Sequence, residues 1–299
     1  MRHTRHIIGK ALVPFVVLAA LLGAEALPAL ADSGSRGSPG PRTKSGASRV
    51  SGDPRTALGA KIFTGEAFDT CRAPSASVMR SWYGTSPFGA AGVYIGGRAR
   101  ACTTQRHLDS GWVRSVTATG WKLIPIYVGS QSPCVKASSK RRFAMSHSSP
   151  AAKGAAEGRD AVRQAKRLGM GTRSAIYLDM EAYDNSATKC AATTLRFIQG
   201  WNRAVLKAKY IPGFYSSADS GIRHIEGARK AGRKWLPEMV WFARWKVPGS
   251  VYGEKSLSPW GWRPHRRIHQ YDGDVRRTYG GHRLNIDRNV MDAPVAVVK

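Results

Sequence analysis

Ser174-Ala175-Ile176-Tyr177-Leu178-Asp179-Met180-Glu181 is an apolar, β-prone run that ends in two acids spaced two apart. Along a strand, successive side chains point to opposite faces. Ile176, Leu178 and Met180 therefore share an apolar face, and Tyr177, Asp179 and Glu181 share the other. Such a strand suits the wall of a barrel, with its apolar face on helices and its acids at the C-terminal end, where barrel enzymes gather their functional groups.

Working outward, comparable runs occur at 61–70, 92–97, 122–129, 211–217, 239–245, 266–272 and 283–288, which makes eight in all. Helical periodicity separates most of them. Ala155, Val162, Ala165 and Leu168 form one apolar stripe, stopped by Gly169. Ala191, Leu195, Ile198, Val205 and Leu206 form a second, with Lys207 and Lys209 at its negative end. Shorter helices are expected over 75–83, 108–119 and 220–232. This alternation predicts an α/β fold, a parallel (β/α)8 TIM barrel over 59–299. The outer helix ring should be incomplete after strands six and seven, where Trp, Pro and Gly replace the helical period. An open doubly wound sheet is the alternative, weakened because no GxGxxG or Walker-type loop follows any strand.

The same parity argument places other acids. Phe68 facing outward turns Asp69 inward; Leu284 and Ile286 facing outward turn Asn285, Asp287 and Asn289 inward. Strands one and eight adjoin in a closed barrel, so Asp69 and Asp287 should be close. Clustered carboxylates raise one another's proton affinity, so one can stay protonated while another stays ionised, the division of labour that glycoside hydrolysis needs. Glu181, with the longer reach, is the expected general acid. Asp179 is expected to hold its proton or orient a substrate amide. Tyr127, Tyr215, Trp241, Trp245 and Tyr271 lie in the last residues of strands, where rings can stack on sugars; Tyr177, on the face of the acids, and Gln270 and Asn289 are expected to bind the substrate with them. The histidines show no metal-like spacing, no cofactor signature occurs, and no Ser or Cys sits in a GxSxG-like setting.

The N-terminus sets the compartment. Arg2, Arg5 and Lys10 precede an apolar stretch from Ala11 to Leu22, and Ala29-Leu30-Ala31 fits a small-x-small cleavage site. Residues 1–31 are read as a signal peptide, leaving no transmembrane anchor after cleavage, and 32–58 as a disordered, basic Ser/Gly/Pro-rich leader. No Arg-Arg pair precedes the apolar run, which points to the general secretory route. Cys71, Cys102, Cys134 and Cys190 make an even count, which suits two disulfides in an oxidising compartment. Three pairings are open from the count alone. Strand positions favour Cys71–Cys102, after strands one and two, and Cys134–Cys190, after strands three and four. With 47 basic and 19 acidic residues the formal charge is +28; without Arg2, Arg5, Lys10 and Glu25 of the signal it is +26. Attraction to polyanions follows.

The series Phe68-Asp69-Thr70-Cys71, Gly92-Val93-Tyr94-Ile95-Gly96-Gly97, Pro125-Ile126-Tyr127-Val128-Gly129, Tyr177-Leu178-Asp179-Met180-Glu181, Tyr215-Ser216-Ser217, His269-Gln270-Tyr271 and Ile286-Asp287-Arg288-Asn289 resembles a known family. It is the actinobacterial secreted family of glycoside-hydrolase-like barrels long labelled a domain of unknown function. The resemblance spans about residues 60–292. That family is in turn similar to the family-25 muramidases, with an Asp on the first strand, Asp-x-Glu on the fourth and Asp-x-Asn on the last. Asp69, Asp179, Glu181 and Asp287 match those positions.

The resemblance implies a secreted protein that cleaves or binds peptidoglycan, the β-1,4-linked amino-sugar polymer of the wall. The basic loop 130–150, with Lys136, Lys140, Arg141 and Arg142, departs from the muramidase pattern. Two other readings remain: an inactive barrel that binds wall carbohydrate or anionic polymer, and a basic scaffold for nucleic acid. Carboxylates at the mouth would repel a polyanion there, so no specific nucleic acid is expected. Association with anionic wall material should be governed by surface charge screened over ~8 Å at physiological ionic strength. Sedimentation with purified walls should weaken markedly from low to high salt; salt-independent binding would assign association to stacking instead.

Overall fold

The computed structural model describes residues 59–298; the expected signal and leader lie outside them. The strands follow one another in chain order around a closed barrel. They are β1 (Ile62–Asp69), β2 (Phe88–Gly96), β3 (Lys122–Tyr127), β4 (Ala175–Asp179), β5 (Ile211–Ser217), β6 (Met239–Ala243), β7 (Arg267–Tyr279) and β8 (His282–Pro294). Outside lie α1 (Ala76–Trp82), α2 (Ser110–Ala118), α3 (Pro150–Arg167), α4 (Thr188–Lys207) and α5 (Arg223–Lys230). Among the described residues no helix lies between β6 and β7 or between β7 and β8, so the outer ring is incomplete as expected. No described helix is long and apolar enough to cross a membrane.

One expectation is corrected. The strands are parallel from β1 to β7, but β8 runs antiparallel to both β7 and β1. The cause is the link between β7 and β8. Gly280 and Gly281, with φ of 52° and 77°, form a two-residue turn of the left-handed kind that joins hairpin strands. So short a link cannot carry the chain back to the far end of the barrel, so β8 must retrace β7. Asp287 is therefore not near the C-terminal end of its strand. It lies where β8 enters the barrel at the mouth, directly opposite Asp69 in the ladder.

Two apolar layers result. Phe68, Trp82, Trp121, Leu178, Trp201 and Phe242 pack outside the sheet, beneath the helices. Ile124, Ile126, Tyr177, Trp241, Ile268 and Met291 fill the inside. The bore is tight: a Cβ on Gly213 of β5 would lie 2.4 Å from the Tyr177 ring. Tyr177 meets Trp241 edge-to-face at 5.6 Å, and its hydroxyl donates to the Pro294 carbonyl at 2.9 Å. This packed plug closes the barrel below the mouth.

The disulfides are Cys71–Cys102 and Cys134–Cys190, with Cα separations of 5.7 and 5.9 Å. The first ties the loop after β1 to the loop after β2. The second ties the loop after β3 to the start of α4, next to the chain leaving β4. Peptide mapping without reduction should recover these two pairs; a crossed Cys71–Cys134 or Cys102–Cys190 peptide would contradict the fold. Replacing Cys134 and Cys190 together by Ser should cost about 2–4 kcal/mol in denaturant unfolding.

Candidate active site at the barrel mouth

The mouth holds a cavity of about 570 Å³ lined by Asp69, Asp179, Glu181, Asp274 and Asp287 together with Arg72, Arg100 and Lys140. Asp69, at the end of β1, is 1% exposed and is the hub. It accepts hydrogen bonds from the Tyr94 hydroxyl at 2.8 Å, Asn289 Nδ2 at 2.9 Å and Gln270 Nε2 at 3.1 Å. Burial pushes its carboxyl above the usual range, and these three donors pull it partly back.

Each donor is itself held. Asn289 Oδ1 accepts from Trp241 Nε1 at 2.8 Å. Gln270 Oε1 accepts from Tyr215 Oη and Trp245 Nε1, both at 2.9 Å, while its amide also reaches Asp287 Oδ2 at 3.4 Å. These second bonds fix which way each amide points, so the donors facing the carboxylates are set by the network.

Across the cavity, Asp179 ends β4 with 6% exposure, and its Oδ1 has no hydrogen-bond partner among the described residues. Burial holds its carboxyl well above the usual range; the charges of Glu181 and Asp69 add to this, and Lys140 opposes it. Glu181 lies just beyond the strand, its side chain 34% exposed, 3.4 Å from the Lys140 ammonium. Its backbone N–H donates to Gln131 Oε1 at 2.8 Å, and Gln131 Nε2 donates to the Asp179 carbonyl at 3.2 Å. Buried Gln131 thus clamps the backbone that carries both acids.

The structure brings Asp69, Asp179, Glu181 and Asp287 to one cavity and sorts the other expected residues by face. Trp245, 46% exposed, is the expected ring that lines it. Half-buried Tyr215 and buried Gln270 and Asn289 belong to the network beneath. Tyr177 and Trp241 are interior plug, so their expected contact with a sugar is corrected. Tyr127 is corrected too: Ile124, Ile126 and Val128 take the inner face of β3, so its ring turns outward and its hydroxyl donates to Asp160 of α3 at 2.7 Å. Tyr271 also faces outward, bonded to Glu66 at 2.7 Å under the Arg288 guanidinium. Among the described residues no group of three or more His, Cys, Asp or Glu is arranged to hold a metal.

Several site residues escaped the sequence reading. Tyr94 was legible, since Val93 and Ile95 facing outward turn it inward. The clamp by Gln131 and the ion pair of Lys140 come from a loop with no period to follow.

Asp287 carries a pH dependence. Burial, with the Asp69 charge, pushes its carboxyl up to about 7, against the Asp274 N–H that donates to it at 2.7 Å. Between the usual carboxylate range and about pH 7 the folded protein holds a proton that the unfolded chain has released. Stability therefore falls as pH rises through that window. Asp287→Asn should stabilise the protein by about 1–2 kcal/mol at pH 8 and by little at pH 4, measured by urea unfolding. An equal gain at both pH values would contradict the assignment.

The Tat-secreted protein Rv2525c of Mycobacterium tuberculosis, in complex with L-tartrate, superposes with a TM-score of 0.52 at 18% identity, covering 77% of this chain and 96% of that one. An uncharacterized B. stearothermophilus protein gives 0.49 at 16% identity, over 76% and 95%. The modular autolysin LytC of Streptococcus pneumoniae gives 0.46 at 11%, over 76% and 46%. No curated protein matches the chain in sequence. The sequence profile of the Rv2525c-like, glycoside hydrolase-like domain matches residues 80–291, more than two thirds of the chain, and the chain belongs to that family.

Proposed function

We propose that this protein is an exported glycoside hydrolase acting on peptidoglycan or a related amino-sugar polymer of the cell wall. The observation that carries the reading is the convergence of four carboxyl groups, from β1, β8 and the end of β4, on one cavity. Cleavage of a glycosidic bond needs a proton for the leaving oxygen and negative charge near the anomeric carbon. Asp179 and Glu181 supply the first. Asp179 is the buried member, whose carboxyl burial pushes toward its protonated form, and Glu181 the half-buried member that reaches the substrate. The pair acts as a coupled unit, with Glu181 delivering the proton. Asp69, whose three hydrogen-bond donors favour its ionised form, supplies the second, with Asp287 opposite it in the ladder. Asp179, which lines the cavity, can also orient a substrate N-acetyl amide for assistance at the anomeric carbon. Trp245 offers a stacking surface at the rim.

Export is supported by the disulfides and by the N-terminal sequence pattern. Association with wall polymer is supported by the formal charge of +28. A second reading, a barrel that binds wall carbohydrate without turnover, is favoured by the Lys140–Glu181 ion pair, which engages the exposed acid.

Muropeptide analysis after incubation with purified peptidoglycan separates the two. Wild type should release fragments, and Glu181→Gln should lower turnover by about 10²-fold or more while fold and ligand binding persist. Asp179→Asn should also impair turnover, less severely. Equal rates for Glu181→Gln and wild type would remove Glu181 as proton donor. No release by wild type would leave the binding reading.

A further inference from the structure

A second pocket opens at the opposite end of the barrel. Its walls come from the segments that precede β6 and β7 and from the end of α4, so it lies at the N-terminal ends of the strands, away from the acids. It measures about 420 Å³ and is lined by Trp235, Trp260 and Trp262 with Leu206, Pro237 and Arg229. Trp260 is 81% exposed and Trp235 50%, the two most exposed large apolar side chains among the described residues. An indole left in water forgoes the largest burial available to any side chain, so two beside one pocket call for an explanation.

The backbone that carries Trp235 is held, and so is the Trp262 ring. Trp235 has a left-handed backbone, φ 61°, which a bulky residue adopts only at a cost. Asn202 Nδ2, from the buried side of α4, holds its carbonyl at 2.8 Å, and Gln199 Nε2 holds the neighbouring Lys234 carbonyl at 2.8 Å. Trp262, also left-handed at φ 50°, forms the floor, its Nε1 donating to the Pro237 carbonyl at 2.9 Å. Guanidinium groups flank the platforms: Arg203 over Trp235 at 5.9 Å, Arg263 over Trp260 at 5.8 Å and Arg229 over Trp262 at 5.8 Å. Left-handed backbone at Trp235 and Trp262, with an arginine beside each ring, marks a built surface rather than a solvated face.

We propose that this pocket is a second, non-catalytic binding site for an anionic sugar chain. The C–H faces of pyranose rings stack on Trp235 and Trp260, and Arg203 and Arg263 pair with carboxylate or phosphate groups along the chain, Arg229 being engaged by Glu226 at 2.8 Å. A polymer held there would be tethered to the protein independently of the mouth, raising its local concentration.

The test is calorimetric titration of the mature protein with an oligogalacturonate hexasaccharide, with neutral chitohexaose and a single-stranded DNA hexamer as comparisons. Trp260→Ala, at an exposed position, should fold normally by circular dichroism. It should weaken binding of the acidic sugar about tenfold or remove one of two binding events. Trp235→Ala should act in the same direction, and chitohexaose should bind more weakly than the acidic sugar. Trp260→Ala binding the acidic sugar as wild type does would overturn the proposal. So would Trp260-dependent binding of the DNA in place of the sugar, or of chitohexaose as tightly as the acidic sugar. A failure of hydrolysis at the mouth would leave this binding unchanged.

Discussion

A carboxyl group with 1% exposure, Asp69, must find its hydrogen-bond donors inside the protein, because water cannot supply them. Its three donors come from three other strands: Tyr94 from β2, Gln270 from β7 and Asn289 from β8. They meet only because the barrel closes with β8 between β7 and β1. The rest of the mouth hangs on that closure. Trp241 orients Asn289, and Tyr215 and Trp245 orient Gln270. The β8 register places Asp287 across from Asp69. The antiparallel last strand is thus part of the site's construction, since it is what sets an acid and an amide against the end of β1.

Charge divides between the outside and the mouth. The chain carries a large positive excess, yet five of its 19 acids line the mouth. Burial and mutual repulsion favour protonated carboxyls there, which limits the charge that the cluster must hold. Lys140, Arg72 and Arg100 add positive charge to the same walls. In the proposed reaction this mixture is useful: a basic exterior draws the protein to anionic wall material, while burial inside pushes the Asp179 carboxyl toward the proton-holding form.

Much of this was legible in the sequence, and what was not has physical reasons. Period two placed Asp69, Asp179 and Asp287 on inner faces whichever way each strand ran, so the acids were located although β8 was given the wrong direction. That direction was written in Tyr279-Gly280-Gly281-His282, a two-glycine hairpin signal between alternating runs. Strand-end position alone misled for Tyr127 and Tyr271, because parity and not nearness to the strand end decides which rings see the mouth. Tyr177 and Trp241 have the right parity but the wrong depth. Depth depends on how many layers of side chains fill the bore, and no single strand encodes that. Lys140 and Gln131 reach the acids from a long loop, where no periodic rule applies.

The central claim is that burial at the mouth holds the Asp179 carboxyl well above the usual range beside the more accessible Glu181. Carbon-13 detected titration of the Asp and Glu side-chain carboxyls, with Asp179 assigned by its loss in Asp179→Asn, tests it most directly. The account predicts that the Asp179 resonance still reports the protonated form where the protein's ordinary exposed carboxyls have already ionised. Ionisation of Asp179 together with the exposed acids, complete by about pH 5, would contradict it.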